Sequence, residues 1–248
     1  MVVAIIPARY ASTRLPGKPL IDLCGQSMLE RVWRAATMAT LIDHVLIATD
    51  DDRIVAEAQR IGADVCLTRP SCSSGTDRCY DALNHLTTAP TLVVNIQGDE
   101  PLIEGATLDS VVSAALTSGC DVTTLVRAIQ DPSDLVNPNV VKVVRGTSGN
   151  ALYFSRSAVP FNRDVAPSDW LLHSTYWQHI GLYAYTPQAL HLHVSLPPSH
   201  LEQVEGLEQL RLLEKGASFH CVETTAFLRA VDTALDAEEV RKILLART

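Results

Sequence analysis

Three cations stand close together near the start of the chain, Arg9, Arg14 and Lys18, and the first 21 residues contain no Asp or Glu. Residues 7–19 are rich in Ala, Ser, Pro and Gly, Pro16 and Gly17 included. Such a loop lets backbone N–H groups approach phosphate oxygens while the cations offset a triphosphate's charge. The two familiar phosphate loops are missing. No GxGxxG follows the first apolar run, and Leu15-Pro16-Gly17-Lys18-Pro19 lacks the spacing and the Ser/Thr of a Walker loop. Simple hydride transfer and P-loop chemistry lose weight accordingly. The alternative that stays open is a basic surface loop.

The elements that must hold this loop follow an alternating pattern. Val2 to Ile6 is a short apolar run ending at Pro7 and reads as a buried first strand, so residues 7–19 leave its carboxyl end, where open α/β sheets bind ligands. Ser27-Met28-Leu29-Glu30 has the form of a capping box and predicts a helix to about Leu41. His44 to Thr49 is a second strand. Asp50-Asp51-Asp52 opens a helix that stops near Gly62, Asp64 to Thr68 is a third strand, and another helix begins near Thr76. Thr91 to Ile96 is a fourth strand, entering Gln97-Gly98-Asp99-Glu100-Pro101. Strands alternating with helices of about ten to fifteen residues predict βαβ units and a largely parallel sheet. The second half is more mixed. Strands are expected at Val140 to Val144, Ala151 to Ser155, Ile180 to Tyr185 and Ser218 to Val222, with helices at Leu201 to Lys215 and Leu235 to Leu245. No repeat or linker interrupts the chain, so one domain over residues 1–248 is expected, with a possible dimerisation excursion near residues 130–175.

Composition sets the outer bounds. A chain of 248 residues that is 47 % apolar can bury a sizeable core, and aromatics at 5 % suit helices packed on a sheet better than an aromatic-rich sandwich. No apolar run approaches the roughly 18 to 20 residues that span a bilayer, and no basic region precedes the first apolar stretch, so a cytoplasmic protein is expected. The net charge of −8 argues against a nucleic-acid or anionic-membrane partner. None of the six cysteines forms a CxxC pair, no HExxH occurs among the eight histidines, and His191-x-His193 reads as surface decoration.

The loop then acquires a family likeness. Ile6-Pro7-Ala8-Arg9-Tyr10-Ala11-Ser12-Thr13-Arg14-Leu15-Pro16-Gly17-Lys18-Pro19-Leu20 closely resembles the signature of the 3-deoxy-manno-octulosonate (KDO) cytidylyltransferases. The likeness continues in order through Ala48-Thr49-Asp50, Ser74-Gly75-Thr76-Asp77-Arg78, Asn95-Ile96-Gln97-Gly98-Asp99-Glu100-Pro101 and Ala151-Leu152-Tyr153-Phe154-Ser155-Arg156. It ends with His179-Ile180-Gly181-Leu182-Tyr183, Leu207-Glu208-Gln209-Leu210-Arg211 and Val231-Asp232-Thr233, so it spans essentially the whole chain. The N-terminal segment alone indicates a nucleotidyltransferase; the full set is specific to this family. Two departures stand out: Asp77 where Glu is most frequent, and Phe161-Asn162 where Trp-Asp is common.

The resemblance implies a three-layer α/β/α nucleotidyltransferase fold, Rossmann-like, with a mixed, mostly parallel sheet of about seven strands. It implies attack of a sugar hydroxyl on the α-phosphorus of CTP, giving a CMP-sugar and pyrophosphate. A step of this kind needs in-line positioning and charge neutralisation. Arg9 and Lys18 are then the groups for charge on the α-phosphate and departing pyrophosphate, and Arg14 grips the β- and γ-phosphates. Magnesium is the implied cofactor, held by Asp99 and, from far along the chain, Asp232. Read on its own, Asp99 beside Glu100 is equally a turn and helix cap. The nucleotide set is completed by Ala8, Ser74, Gly75 and Arg78, the last three at a helix start that Ser capping alone would also explain.

For the acidic sugar the resemblance implies Gln97, Arg163, His179, Glu208 and Gln209. His179 could instead cap a strand pair, and Glu208-Gln209 could be a solvated helix face. The implied partners are CTP and an octulosonate, within a homodimer that supplies lipopolysaccharide biosynthesis or a capsule. The rivals are transfer to a related acid (8-amino-KDO or a sialic acid), transfer to a polyol phosphate, and a non-catalytic nucleotide-sugar-binding protein.

Overall fold

The first apolar run forms β1 (Val2–Pro7), with Val2 to Ile6 all buried. A strand without a solvent face needs cover on both sides, which is the condition of a parallel sheet flanked by helices. The computed structural model of the chain describes residues 1–11 and 15–247, divided between two units, Met1–Ser113 with Ala226–Thr248, and Ala114–Thr225.

In the first unit β1 is followed by α1 (Met28–Thr37), β2 (His44–Thr49), α2 (Asp52–Ile61), β3 (Asp64–Leu67), α3 (Gly75–Ala82), β4 (Leu92–Asn95) and the start of α4 (Gly105–Ser118). Its strands lie in the order β3-β2-β1-β4, and every pairing among them is parallel. This reproduces the alternation read from the sequence. Local chemistry sets the helix boundaries. Asp51 caps α2 by accepting from the Arg53 N–H at 3.0 Å, and Gly62 ends it in the left-handed region at φ +78°. Ser74 and Asp77 form a capping box at the head of α3.

Two expectations for α1 need correction. The Ser27 hydroxyl accepts from the Glu30 N–H at 3.0 Å, but the Glu30 carboxylate is taken by Arg34 and Arg60 instead of returning to the cap. The helix stops at Thr37 and not near Leu41, because the N–H groups of Thr40 and Leu41 are held by the Asp109 carboxylate at 3.0 and 2.8 Å.

The second unit contains β5 (Val122–Ala128), α5 (Pro132–Val136), β6 (Lys142–Arg145), β7 (Ala151–Ser155), α6 (Trp170–His173), β8 (Trp177–Tyr185), α7 (Pro187–Ser195), α8 (His200–Glu205), α9 (Gln209–Glu214) and β9 (Phe219–Glu223). β5 runs antiparallel to β8 and parallel to β9, and β6 pairs antiparallel with β7 and β8. The single helix expected over residues 201–215 is two helices, because Gly206 enters the left-handed region at φ +63° and closes α8. The described residues hold nine strands, against the expected seven or so. The chain then returns to the first unit with α10 (Ala234–Ala246), opened by a Thr233–Asp236 capping box.

Candidate active site

The basic loop leaves β1 at its carboxyl end. Ala8 is buried and donates its N–H to the Ala48 carbonyl at 2.9 Å, fixing the exit, while Arg9 next to it is exposed. The loop closes on itself where the Gly17 N–H donates to the Tyr10 carbonyl at 3.2 Å. Gly17 has φ +69°, and a Cβ there would stand 3.2 Å from the Tyr10 hydroxyl oxygen, so conformation and space both require glycine. Tyr10 in turn carries the Arg53 guanidinium over its ring at 3.3 Å from the centroid, and Arg53 is held in a fork by Asp51 at 2.8 and 2.7 Å. Arg14, with Ser12 and Thr13, lies outside the described residues.

Lys18 follows Gly17 directly and reaches two carboxylates. Its Nζ lies 2.7 Å from Asp99 Oδ2 and 3.0 Å from Asp232 Oδ1. Residues 81 and 214 positions away in sequence therefore meet on one ammonium. Burial alone would lower the Lys18 pKa, but Asp99 and then Asp232 outweigh it, and the net direction is upward.

Each carboxylate is placed by identifiable backbone contacts. Asp99 follows β4 in a turn closed by Glu100 N–H to the Gln97 carbonyl at 3.3 Å. Gly98 permits this turn because a Cβ there would come within 3.2 Å of the Pro7 carbonyl oxygen. Asp232 is delivered by the head of α10. The Val231 N–H donates to the Asp99 carbonyl at 2.9 Å, and the Asp232 N–H donates to Asp236 Oδ2 at 3.1 Å. The capping box of α10 thus fixes the backbone on which Asp232 sits, and one backbone hydrogen bond ties that stretch to Asp99.

Two carboxylates sharing one cation fit magnesium, a hard ion usually bound through one or two carboxylates together with phosphates and water. No group of three or more His, Cys, Asp or Glu side chains suited to a metal occurs among the described residues, so this pair is the donor set to consider.

The head of α3 is close by. A Cβ added to Gly75 would lie 3.4 Å from the Pro7 Cγ and 3.9 Å from Gln97 Oε1, so Gly75, β1 and Gln97 meet there. Ser74 is engaged twice in the helix cap: its hydroxyl accepts from Asp77 N–H at 3.1 Å and its own N–H donates to Asp77 Oδ2 at 3.2 Å. Arg78 is turned inward: it is 4 % exposed, donates to the Thr68 hydroxyl and lies 3.0 Å from Asp50 Oδ2. It clamps α3 to the segments that follow β2 and β3. Gln97 donates from Nε2 to Asn95 Oδ1 at 3.3 Å, and Asn95 is fully buried with its own Nδ2 unsatisfied. Sequence reasoning passed over Asn95 and Tyr10. A polar residue within the apolar run of β4 was the available signal for Asn95; none marked Tyr10 apart from its place in the loop.

The remaining sugar residues lie in the second unit. His179 is buried, edge-on to Phe154, and its Nε2 lies 3.0 Å from Thr124 Oγ1. The Thr124 hydroxyl has one proton and a carbonyl acceptor in Leu182 at 2.8 Å, so it receives the Nε2 proton of a neutral ring. Burial drives the His179 pKa down to about 3. Tyr183, 5.5 Å from His179 between ring centroids, has its pKa raised by burial and then by the charge of Glu208. His179 and Glu208 therefore share a neighbour. Gln209 is buried with no acceptor for Nε2 among the described residues. Arg163 is exposed on the segment between β7 and α6 and makes no hydrogen bond with the other three.

Comparison with known proteins agrees with this geometry. A family profile described as cytidylyltransferase matches residues 3–223. The 3-deoxy-manno-octulosonate cytidylyltransferase of Cytophaga hutchinsonii is 45 % identical over 236 residues, 95 % of this chain and 94 % of its own. The protein of Arabidopsis thaliana named mitochondrial 3-deoxy-manno-octulosonate cytidylyltransferase is 41 % identical over 99 % of this chain and 84 % of its own. Among solved structures, a CMP:2-keto-3-deoxy-manno-octonic acid synthetase complexed with CTP matches with a TM-score of 0.91 at 36 % identity, covering 100 % of this chain and 99 % of that one. Its likeness bears out the expected α/β class with a mixed, mostly parallel sheet. A Leptospira borgpetersenii cytidylyltransferase, 18 % identical with a TM-score of 0.65, shares the fold.

Proposed function

The chain belongs to the cytidylyltransferase family, and from that premise we propose that it joins CTP to 3-deoxy-manno-octulosonate, releasing pyrophosphate. One observation carries the reading at the level of chemistry: Lys18, Asp99 and Asp232 meet in a single constellation beside the basic loop. A triphosphate brings about four negative charges, and the exposed Arg9 and the ammonium of Lys18 are the groups at hand to receive them. Charge that grows on the α-phosphate and on the departing pyrophosphate during in-line attack is stabilised by these cations, fixed beforehand by the closed loop. Magnesium would be held by Asp99 and Asp232 and would neutralise phosphate charge. Loss of Arg9 lowers turnover by about 10²–10³, the usual cost of one preorganised donor.

The cytosine is read at Ser74 and Gly75, on a helix start that Arg78 and Asp50 hold in place. Arg14 takes the β- and γ-phosphates. Gln97, Arg163, His179, Glu208 and Gln209 are the residues assigned to the sugar. Support for this assignment is the match of these positions to the family's motifs, together with the unsatisfied amide donor of buried Gln209. An unpaired buried donor costs about 1–3 kcal/mol, a cost that a sugar oxygen would remove. The product feeds lipopolysaccharide biosynthesis, and the enzyme works as a cytoplasmic homodimer. No helix among the described residues is long and apolar enough to cross a membrane.

The test is pyrophosphate release from CTP and magnesium in the presence of 3-deoxy-manno-octulosonate, its 8-amino analogue, a sialic acid and a polyol phosphate in turn. Release with the octulosonate at least tenfold faster than with the others is expected. Release with another acceptor and none with the octulosonate refutes the substrate. Light scattering at micromolar concentration reads the dimer independently.

A further inference from the structure

The first unit has a concavity of about 540 Å³ whose lining residues the proposed reaction does not use. It is bounded by α1, by the segment from Pro101 into the first turn of α4, and by the end of α10. A volume of this order is within the usual range for small-molecule sites. The apolar lining comes from Ala35, Met38, Leu102, Ile103 and Leu244. Met38 is 76 % exposed, a large side chain left in water at the mouth.

The polar lining is cationic. Arg31, Arg34 and Arg247 line the cleft against one carboxylate, Glu104, in a chain whose formal net charge is −8. Carboxylates nearby meet part of this charge. Arg34 lies 2.8 Å from Glu30, which also serves Arg60, and Arg60 has Glu57 as well at 2.7 Å. Arg31 donates to the carbonyls of Leu23 and Cys24 at 2.7 and 3.4 Å, neutral acceptors that leave its charge uncompensated. Arg247 lies 3.1 Å from Glu104, so among the described residues Arg31 is the lining cation left without a carboxylate.

We propose that this cleft binds a small organic carboxylate with an apolar body. Guanidinium groups match a carboxylate through forked hydrogen bonds, and the apolar lining gains only if the anion carries a hydrocarbon part. An inorganic anion would leave that lining wet; a neutral hydrocarbon would leave Arg31 unanswered. The position also gives the occupant a route to the catalytic residues. Leu102 and Leu244 belong to the same apolar cluster as Val231, whose N–H bonds the Asp99 carbonyl.

Isothermal titration calorimetry of the full chain with octanoate tests the site, with octanol and inorganic phosphate as half-probes. Octanoate binding in a 1:1 ratio is expected, persisting in saturating CTP, with either half-probe at least tenfold weaker. The change Arg31→Gln should weaken octanoate at least tenfold, the scale of one charge-assisted hydrogen bond. Ala106→Trp, which keeps every charge but fills the cleft, should abolish binding. The proposal is overturned by any of four results: no octanoate heat, displacement of octanoate by CTP, phosphate binding as tightly as octanoate, or an unchanged Kd in both variants.

Discussion

Replacing Lys18 by Met separates two roles that the geometry gives to one ammonium. Nζ lies 2.7 Å from Asp99 and 3.0 Å from Asp232, with side-chain exposures of 15 %, 29 % and 37 % for the three residues. With this much water present, bulk permittivity is the appropriate lower limit, and it gives about 1.5 and about 1.4 kcal/mol of attraction for the two pairs. Ordering the long Lys side chain takes back about 1 kcal/mol. The fold should therefore lose about 2 kcal/mol on Lys18→Met, which for a chain of this size lowers Tm by about 4–8 °C. The same contacts make Lys18 a competitor for any divalent cation that takes the two carboxylates. Removing it should raise the affinity for Mn2+ in the absence of nucleotide at least tenfold. Millimolar Mg2+ should then restore most of the lost Tm in the variant, since a ligand at ten times its Kd contributes about 1.4 kcal/mol, while moving the wild type by a degree or less. Scanning calorimetry in EDTA and in Mg2+, with Mn2+ binding followed by electron paramagnetic resonance, reads both effects without any turnover. Equal Tm values in EDTA, or an equal Mg2+ shift in the two proteins, would refute the shared-cation reasoning.

Three further substitutions probe the supports. The His179 pKa of about 3 lies below the ordinary 6.5, so the fold holds the ring neutral; its contribution is complete above pH 6.5 and lost as pH falls toward 3. Between pH 7 and pH 5 that loss is about 2 kcal/mol, and His179→Gln should show an acid decline in stability shallower by this amount in urea titrations. Gly98→Ala places a Cβ 3.2 Å from the Pro7 carbonyl oxygen and should displace the Asp99 turn, lowering kcat at least tenfold with Tm within about 2 °C, as steady-state assays and calorimetry would show. Arg78→Met leaves Asp50 without its partner; because Asp50 is a quarter exposed, a loss of about 2 kcal/mol is expected, below the 3–5 kcal/mol of a fully buried pair, and urea titration measures it.

What the sequence made legible follows from how local each cause is. β1, β2 and α2 were readable because apolar runs, an Asp cap and a terminal Gly act within a few residues of themselves. α4 and β5 went unassigned. The Val111-Val112 and Ala114-Ala115 doublets place apolar residues around α4 without a clear stripe, and Thr123 and Thr124 interrupt β5 although both are buried. Thr124 is tolerated there only because β8 has a register shift opposite it, where the hydroxyl meets the carbonyls of Ile180 and Leu182. The end of α1 depended on Asp109, some 68 residues away, which no local pattern announces.

The candidate site divides along the same line. The loop cations were visible as types and spacing, since their chemistry lies in one stretch. Asp232 was not: its neighbours Val231 and Thr233 look like an ordinary helix start, and only the family's motif singled it out. Its meaning comes from a backbone hydrogen bond to Asp99 and from an ammonium that both carboxylates reach. Arg78 shows the converse. A cation in a nucleotide-binding motif reads as a ligand contact, yet its guanidinium faces Thr68 and Asp50, so the motif's positive charge works inward, as a clamp on α3. Residue type announces a charge; whether that charge meets substrate or scaffold is decided by which distant carboxylate the fold sets against it.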